Sequence, residues 1–305
     1  MTLQYIIDNA KKTDPLKKIA VAVAEDFDVL SAVNEAKKQG IAEPILIGDV
    51  EKIKSIVNNK GFDLLDCVYV HENDHAAAAK KSVELAAAGE VDAIMKGQLQ
   101  TAILMRAILN KESGIRMTNL LSHVGIIQSQ KIGRMLFVTD GAMCPYPDLK
   151  QKVDIINNAV AIARRLGVET PRVACLAAIE TVNPDMPSTL DAAALALMSQ
   201  RGQFSNCVVD GPLALDNAVD LIAAQHKGVK SPTDVIGKAD ILLVPNIEAG
   251  NILAKTSQYL GDCNVVGLLA GAKVPVVVSS RANTAENKLY SIACAVYQSD
   301  SKIGV

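Results

Sequence analysis

The stretch IAVAVAEDFDVLSAVNEAKKQGIAEPILIG, residues 19–48, decides the expected fold. An apolar run at 19–24 predicts a strand, the amphipathic segment 29–39 predicts a helix, and the run at 44–48 predicts a second strand. Asp28 is the expected N-cap of the helix and Gly40 its C-terminal stop. A strand–helix–strand unit of this length predicts two parallel strands joined by a right-handed crossover.

The same alternation of strands and helices continues to a last predicted helix at 285–296. It predicts an α/β fold with parallel sheets covered by helices on both faces. The chain has 305 residues, and at about 150 residues per domain this length corresponds to roughly two doubly wound domains. Half of the residues are hydrophobic but only 3% are aromatic, so the core must be built from Ala, Val, Ile and Leu.

Composition also excludes several classes of protein. A net charge of −2 gives no excess of positive charge for non-specific binding to nucleic acid, and few aromatic side chains are present on which bases could stack. The apolar run Val265–Ala272 is far shorter than the ~20 residues of a membrane span, and residues 1–18 do not form a signal peptide. Six scattered cysteines without a CxxC pair indicate reduced thiols, and hence a cytoplasmic location.

Polar residues and glycines collect after the predicted strands, where ligands bind in open α/β sheets. Capping of the next helix is the simpler explanation for an Asp, Asn or Ser at such a position. Lys96 and Arg281 are different, because a cation is unfavourable at a helix N-terminus unless an anion is bound there. This pair therefore predicts a phosphate site.

Several motif-like strings carry less information. His71 and His75 match H-E-x-x-H, but Asn73 is a natural N-cap between them, so the two histidines would not share a helix face and no metal site is predicted. The chain has no G-x-G-x-x-G. Ser122 and His123 are adjacent in a predicted strand and so face opposite sides. Cys144, which precedes Pro145 and Pro147, is better explained by a packing or turn role than by nucleophilic catalysis.

Six blocks in the order of the chain resemble the phosphate acetyltransferase/phosphate butyryltransferase family. They are KGQLQT (96–101), SHV (122–124), FVTDGA with PD (137–142 and 147–148), DGPLALD (210–216), PNIEAGN (245–251), and SRA with KLYS (280–282 and 288–291). The likeness covers essentially the whole chain, and the block at 210–216 is closest to the butyryl type.

This resemblance implies the reaction acyl-CoA + phosphate ⇌ acyl phosphate + CoA, with butyryl or a similar short acyl group, straight or branched. It implies two α/β domains around a cleft, as in isocitrate and isopropylmalate dehydrogenases. We expect residues 1–140 and 271–305 to form a discontinuous first domain and 141–270 an inserted second one. It also implies a homodimer or higher homo-oligomer, CoA as a substrate with no bound cofactor, and an acid kinase as pathway neighbour.

The resemblance also implies roles for individual residues. Arg281 matches the arginine that acetyl-type relatives use to bind phosphate and stabilise the oxyanion, and Ser280 would donate a hydrogen bond there. The candidate catalytic residues are Arg281, Ser280, Glu248 and His123. The candidate substrate- and phosphate-binding residues are Lys96, Gly97, Thr101, Ser122, Thr139, Asp140, Asn246, Gly250, Asn251 and Arg134.

One departure from the family pattern concerns the general base. Acetyl-type relatives carry an Asp six residues after the arginine, whereas this chain has Asn287, which cannot accept a proton. Glu248, Asp140 and His123 are the remaining candidates by position. CoA would be held by aliphatic contacts, backbone groups and a few cations such as Arg134 and Lys131, because aromatic residues are few.

Three alternatives stay open from the sequence. A phosphate acetyltransferase would differ only in its acyl group. A decarboxylating 2-hydroxyacid dehydrogenase would need clustered metal-binding aspartates and a nucleotide loop that we cannot place. A non-catalytic sensor of acyl-CoA or acyl phosphate is compatible with Asn287.

Overall fold

The computed structural model describes residues 2–112, 114–280 and 282–300, and it has the predicted α/β class. The strands are β1 (Lys17–Ala22), β2 (Ala42–Gly48), β3 (Val68–His71), β4 (Ala93–Lys96), β5 (Ser122–Gln128), β6 (Met135–Thr139), β7 (Arg172–Leu176), β8 (Val208–Leu213), β9 (Ile241–Leu243), β10 (Asn264–Ala270) and β11 (Val276–Val277). The helices are α1 (Leu3–Ala10), α2 (Phe27–Lys38), α3 (Val50–Lys60), α4 (His75–Ala87), α5 (Thr101–Ile108), α6 (Leu149–Arg165), α7 (Pro187–Gln200), α8 (Leu215–Val219), α9 (Leu221–His226), α10 (Ile247–Tyr259) and α11 (Ala285–Ser299).

The chain divides into two compact units. Among the described residues, 3–112, 114–119, 266–280 and 282–300 form the discontinuous unit, and residues 120–265, with Thr2, form the inserted unit. The sequence-based boundaries at 140/141 and 270/271 stay predictions.

The sheet of the discontinuous unit has the strand order β3-β2-β1-β4-β11-β10, in which β10 belongs to this unit from Val266 onward. The β3–β2, β2–β1, β1–β4 and β4–β11 pairs are parallel. Helix α11 packs on α1 and on α2, and helix α4 packs on α5. This order sets the carboxyl ends of β4 and β11 side by side.

The sheet of the inserted unit has the order β5-β6-β9-β7-β8. Helices α6 and α7 pack on its strands, as do α8 and α10. A cluster of aliphatic side chains fills its core, as the composition predicts: Ile127, Leu136, Val138, Ala174, Leu176, Leu213, Ala218, Val235, Ala239, Leu242, Val244 and Val265. Full burial of one Val, Leu or Ile stabilises the fold by roughly 1.5–3 kcal/mol.

The expectation of parallel pairing alone was wrong at two places. The β5–β6 and β10–β11 pairs are antiparallel. Their connections, residues 129–134 and 271–275, are too short for the crossover that a parallel pair needs, which takes about a dozen residues. Direct hairpins are therefore the only geometry available to them.

Several helix starts also differ from the sequence-based expectation. The N-cap of α2 is Asp26 rather than Asp28, and its carboxylate accepts the Val29 N–H at 2.9 Å. Asp74 rather than Asn73 caps α4 in the same way. Neighbouring Asp and Asn residues compete for a cap, and sequence alone does not rank them.

Two further helices differ, and one was missed. The sequence also predicts a helix at 189–200 with Ser188 as its cap, but α7 begins at Pro187 and Ser188 does not cap it. It predicts a single helix at 214–224, whereas the structure has α8 and α9, because the Asp220 carboxylate accepts the N–H groups of Ile222 and Ala223 and so starts a new helix. Helix α1 was not predicted from the sequence.

Within the described residues, no helix is long and apolar enough to cross a membrane.

Helix α6 begins with a reciprocal capping box. The Asp148 carboxylate accepts the Gln151 N–H at 2.7 Å, and the Gln151 side chain accepts the Asp148 N–H at 2.9 Å. Farther along this helix, Asn158 donates to the Leu120 carbonyl and to the Ser122 hydroxyl. The capping box therefore fixes the start of α6, and Asn158 of this helix holds Ser122, the first residue of β5.

We predict that Asp148→Ala lowers the free energy of unfolding by about 1 kcal/mol, because an orphan N–H at the start of α6 loses its acceptor. Urea denaturation followed by circular dichroism measures this change. Asn157→Ala, at an exposed position of the same helix, is the control and should stay within about 0.5 kcal/mol of the parent. Equal midpoints for the two variants would contradict the capping role.

Candidate functional site

The loop after β4 is fixed by a very close backbone approach. Gly97 N–H donates to the Ala22 carbonyl at 2.8 Å, and Gln98 N–H donates to the Val23 carbonyl at 2.7 Å. A Cβ on residue 97 would lie 2.0 Å from the Val23 oxygen. Only glycine fits, so the Lys-Gly pair is a geometric requirement of this turn.

Lys96 is buried at the end of β4. Its ammonium donates to the carbonyls of Gly97 and Leu99, each at 3.2 Å. The loop that follows the strand therefore holds the side chain in place, and the charge stays at the carboxyl edge of the sheet.

A small open cavity of about 50 Å³ lies at this edge of the discontinuous unit. That volume exceeds the roughly 10–15 Å³ that one water needs. Its lining residues come from the exits of β1, β4 and β11 and from helices α2 and α11: Asp26, Val29, Lys96, Gly97, Gln98, Ser279, Ser280 and Lys288. The structure thus brings the predicted residues Lys96, Gly97 and Ser280 together, although they are far apart in sequence.

Lys288 is a charged residue of this cavity that the sequence did not predict as a site residue. It lies in α11, is 2% exposed, and donates to the Asn283 carbonyl. Burial lowers the pKa of its ammonium, while the carboxylates of Asp28 and Asp26 oppose that change. A signal was available, because Lys288, Ile292 and Ala295 follow helical spacing and share the buried face of α11.

Residues around the Ser280 turn have simpler roles. Ser280 Oγ accepts the Ala282 N–H at 3.3 Å, and Thr284 caps α11 by accepting the Asn287 N–H at 3.2 Å. Arg281 lies outside the described residues. Thr101 is the first residue of α5 and is not among the residues that line the cavity.

In the inserted unit, Asp140 organises the turn after β6. One carboxylate oxygen accepts the N–H groups of Ala142 and Met143 at 2.8 and 2.9 Å, and the other accepts the His123 N–H at 3.0 Å. The Thr139 hydroxyl donates to the His123 carbonyl at 2.9 Å. Both oxygens of Asp140 are thus engaged by backbone donors, which gives this carboxylate a clear structural task.

His123 is the titratable group beside this carboxylate. Burial lowers its pKa, and the charge of Asp140 opposes the shift. Within the described part of the chain, its Nδ1 atom is buried without a hydrogen-bond partner. A neutral imidazole with one unused nitrogen is the form that accepts a proton.

Cys144 lies close to the same turn. Burial, with a smaller contribution from Asp140, raises the pKa of its thiol to about 12. A thiol in this state is a poor nucleophile at neutral pH, in agreement with a packing role. All six cysteines are free thiols.

Gly250, in the first turn of helix α10, has a steric role. A Cβ on Gly250 would lie 2.7 Å from the Gly141 Cα atom, and one on Gly141 would lie 3.0 Å from the Gly250 carbonyl carbon. Asn251 donates from Nδ2 to the Gly141 carbonyl at 3.4 Å. The structure thus brings the predicted residues Gly250 and Asn251 to the Asp140 turn.

Four other predicted residues have structural partners. Asn246 caps α10 by accepting the Ala249 N–H at 2.9 Å. Ser122 accepts from Asn158 at 3.0 Å, and the Arg134 guanidinium donates to the carbonyls of Ala239 and Gly237. The hydroxyl of Tyr146 donates to the exposed Glu248 carboxylate and lowers its pKa, which makes Glu248 a weak proton acceptor.

The H-E-x-x-H string does not have the geometry of a zinc site. His71 ends β3 and His75 begins α4, so the two residues do not share a helix face. Among the described residues, no group of three or more His, Cys, Asp or Glu side chains is arranged to hold a metal ion.

Comparison with known proteins identifies the family. The profile of the family described as Phosphate acetyl/butaryl transferase matches residues 1–84 and 69–296. The chain belongs to this family. Members of the phosphate acetyl/butaryl transferase family are enzymes, and the resemblance drawn from the six sequence blocks is confirmed.

Relatives within the phosphate acetyl/butaryl transferase family carry two names. The chain is 50% identical over 291 residues to a phosphate butyryltransferase of Clostridium acetobutylicum, covering 95% of this chain and 96% of the relative. It is 41% identical over 298 residues to a phosphate acetyltransferase of Thermotoga maritima, covering 96% and 98%. A crystal structure of a branched-chain phosphotransacylase from Enterococcus faecalis V583 matches with a TM-score of 0.81 and 32% identity, covering 93% and 99%.

We predict that Gly97→Ala lowers both stability and affinity for inorganic phosphate, because the new methyl group cannot coexist with the Val23 carbonyl. Thermal unfolding and isothermal titration calorimetry measure the two effects. Gln100→Ala, an exposed position of the same loop outside the cavity, is the control. If Gly97→Ala matched that control in both measurements, the close approach would not matter for the site.

Proposed function

We propose that the protein transfers an acyl group between CoA and phosphate, and that it prefers butyryl or a similar short group, straight or branched. The observation that carries the proposal is the near-full-length identity to a phosphate butyryltransferase. The branched-chain phosphotransacylase structure supports the inclusion of branched groups. The substrates are acyl-CoA and inorganic phosphate, and no resident cofactor is required.

The cavity of the discontinuous unit supports this chemistry. Two buried lysines, Lys96 and Lys288, and two serines, Ser279 and Ser280, surround it. Charge-assisted hydrogen bonds of ammonium groups to phosphate oxygens are short and strong. Asp26 also lines the cavity, so the two cations outnumber the single carboxylate among its lining residues.

The reaction proceeds by attack of a phosphate oxygen on the thioester carbonyl carbon. A C–O bond forms, the C–S bond breaks through an oxyanion intermediate, and the electron pair leaves on the CoA sulfur. In our proposal Arg281 and Ser280 stabilise the oxyanion, as the resemblance implies. Binding both substrates together supplies much of the acceleration, so no acyl-enzyme is needed.

The reverse reaction needs a group that accepts the proton of the CoA thiol. Asn287 cannot do so, Asp140 is engaged by three N–H groups, and the exposed Glu248 carboxylate accepts a hydrogen bond from Tyr146. We propose His123 for this role, because its buried Nδ1 has no partner within the described residues.

The remaining expectations stay predictions. Assembly as a homodimer or larger homo-oligomer, a part in butyrate metabolism and an acid kinase that consumes the acyl phosphate rest on the resemblance. A cytoplasmic location rests on the six scattered cysteines. Binding of substrate by Thr101, Ser122, Thr139, Asn246, Gly250, Asn251 and Arg134 also stays a prediction.

A phosphate acetyltransferase is the second candidate. The 41% identity to the enzyme of Thermotoga maritima, again over nearly the whole chain, favours the same reaction with a smaller acyl group. The two candidates differ only in the volume of the acyl pocket.

We predict that kcat/KM is highest for butyryl-CoA or isobutyryl-CoA in a panel that includes acetyl-CoA and propionyl-CoA. Each methylene that a pocket accommodates changes transition-state binding by about 1–3 kcal/mol, which is roughly 10- to 200-fold. Thiol release in the presence of phosphate measures the rates. A maximum at acetyl-CoA would establish the second candidate, and butyryl-CoA binding without turnover would indicate a sensor.

We predict that Arg281→Ala lowers kcat by about 100-fold or more, because the oxyanion loses its charged donor. The same thiol-release assay measures the loss. Arg201→Ala, at an exposed position of the inserted unit, is the control and should keep its activity. Kinetics of Arg281→Ala close to those of the control would remove Arg281 from the mechanism.

A further inference from the structure

Lys288 is a buried cation with very few partners. Its side chain is as deeply buried as the strand residues around it, and it belongs to the wall of the cavity that also contains Lys96. Within the described residues, the ammonium has one hydrogen-bond partner, the Asn283 carbonyl, and no salt bridge. An ammonium has three N–H groups, so two are left to face the cavity or water.

A buried charge of this kind is costly unless an opposite charge compensates it. Another buried lysine of the chain, Lys152 in the inserted unit, has such compensation, since its ammonium lies 2.6 Å from the Asp191 carboxylate. Lys288 has only more distant carboxylates, those of Asp28 in α2 and of Asp26 immediately before it. The Asp26 carboxylate is itself used as the N-cap of that helix.

The remaining polar groups of the cavity are suited to an anion. Ser279 is buried and Ser280 follows it at the exit of β11, and each hydroxyl can donate one hydrogen bond. Lys96 supplies a second ammonium, which its own loop holds in position. Two cations and two hydroxyls in one small cavity match a tetrahedral dianion better than a carboxylate, which has only two oxygens.

We propose that Lys288 is a second direct ligand of the acceptor phosphate, together with Lys96. This inference rests on the proposed function, and it adds a phosphate-binding residue that the sequence resemblance did not assign. The bound dianion replaces the missing carboxylate partner of Lys288. In that state the Asn283 carbonyl holds the lysine side chain at the end of the cavity.

Two other roles give different results. If Lys288 only braced the 280–284 turn through Asn283, its loss would affect both substrates. If it bound a phosphate group of CoA rather than inorganic phosphate, its loss would weaken acyl-CoA binding alone. Steady-state constants for each substrate separate these roles.

We predict that Lys288→Met raises KM for inorganic phosphate by about 10- to 100-fold, the effect of one lost charge-assisted hydrogen bond. KM for butyryl-CoA should stay within about twofold of the parent, and Lys288→Arg should recover part of the phosphate affinity, since it keeps the charge. Repeating the assay with butyryl-pantetheine, which carries no CoA phosphates, should give the same rise in KM for phosphate. Equal rises for both substrates, or a rise that vanishes with butyryl-pantetheine, would overturn the proposal.

Lys273→Met is the matched control. Lys273 belongs to the same unit and also donates to a backbone carbonyl, that of Ala87, but it is exposed and lies outside the cavity. The KM of the Lys273→Met variant for phosphate should equal that of the parent. Thermal unfolding tests whether each variant is folded. If Lys288→Met does not fold, the KM for phosphate of the milder variants Lys288→Gln and Lys288→Arg is compared with that of the parent instead.

A direct binding measurement separates this inference from the proposed function. Isothermal titration calorimetry with inorganic phosphate needs no turnover, and we expect Lys288→Met to bind about 10- to 100-fold more weakly than the parent. Parent protein that binds phosphate through Lys288 but releases no thiol would retain this inference and refute the proposed function. Unchanged affinity in Lys288→Met, or parent protein that does not bind phosphate, would refute the inference itself.

Discussion

The close approach of Gly97 to the carboxyl end of β1 is the constraint on which the cavity lined by Lys96 and Lys288 depends. Two backbone hydrogen bonds, to the carbonyls of Ala22 and Val23, leave no room for a side chain at this position. The loop after β4 then supplies the carbonyls of Gly97 and Leu99, which accept hydrogen bonds from the Lys96 ammonium. The loop thus holds a cation at a buried edge of the sheet.

In the proposed function, this arrangement lets a nearly neutral chain bind a dianion. The net charge of −2 describes the whole surface, whereas the cavity concentrates two buried ammonium groups against one carboxylate. Burial strengthens the interaction with a ligand because the local dielectric constant is lower than in water. It also destabilises the empty site, and the lowered pKa of Lys288 reflects this cost.

The predictions that held and those that failed have different physical origins. The strand–helix alternation held because side-chain periodicity is a local property, and each amphipathic segment must bury its own apolar face. Parallel pairing failed for β5–β6 and β10–β11, since the length of a connection overrides the pattern of the strands that it joins. Cap positions shifted where adjacent Asp and Asn residues competed for the same N–H groups.

The sequence by itself determined the α/β class, the aliphatic core, the Lys96–Gly97 loop as an anion candidate and the family. These features depend on periodicity, composition and short motifs, which neighbouring residues encode. Only the tertiary structure showed that Lys288 shares a cavity with Lys96 and Ser280, and that Asn246, Ser122 and Arg134 already have partners. The pairing of β4 with β11 and the packing of α11 on α2 create that proximity, and strand order is a property of the whole chain rather than of any segment.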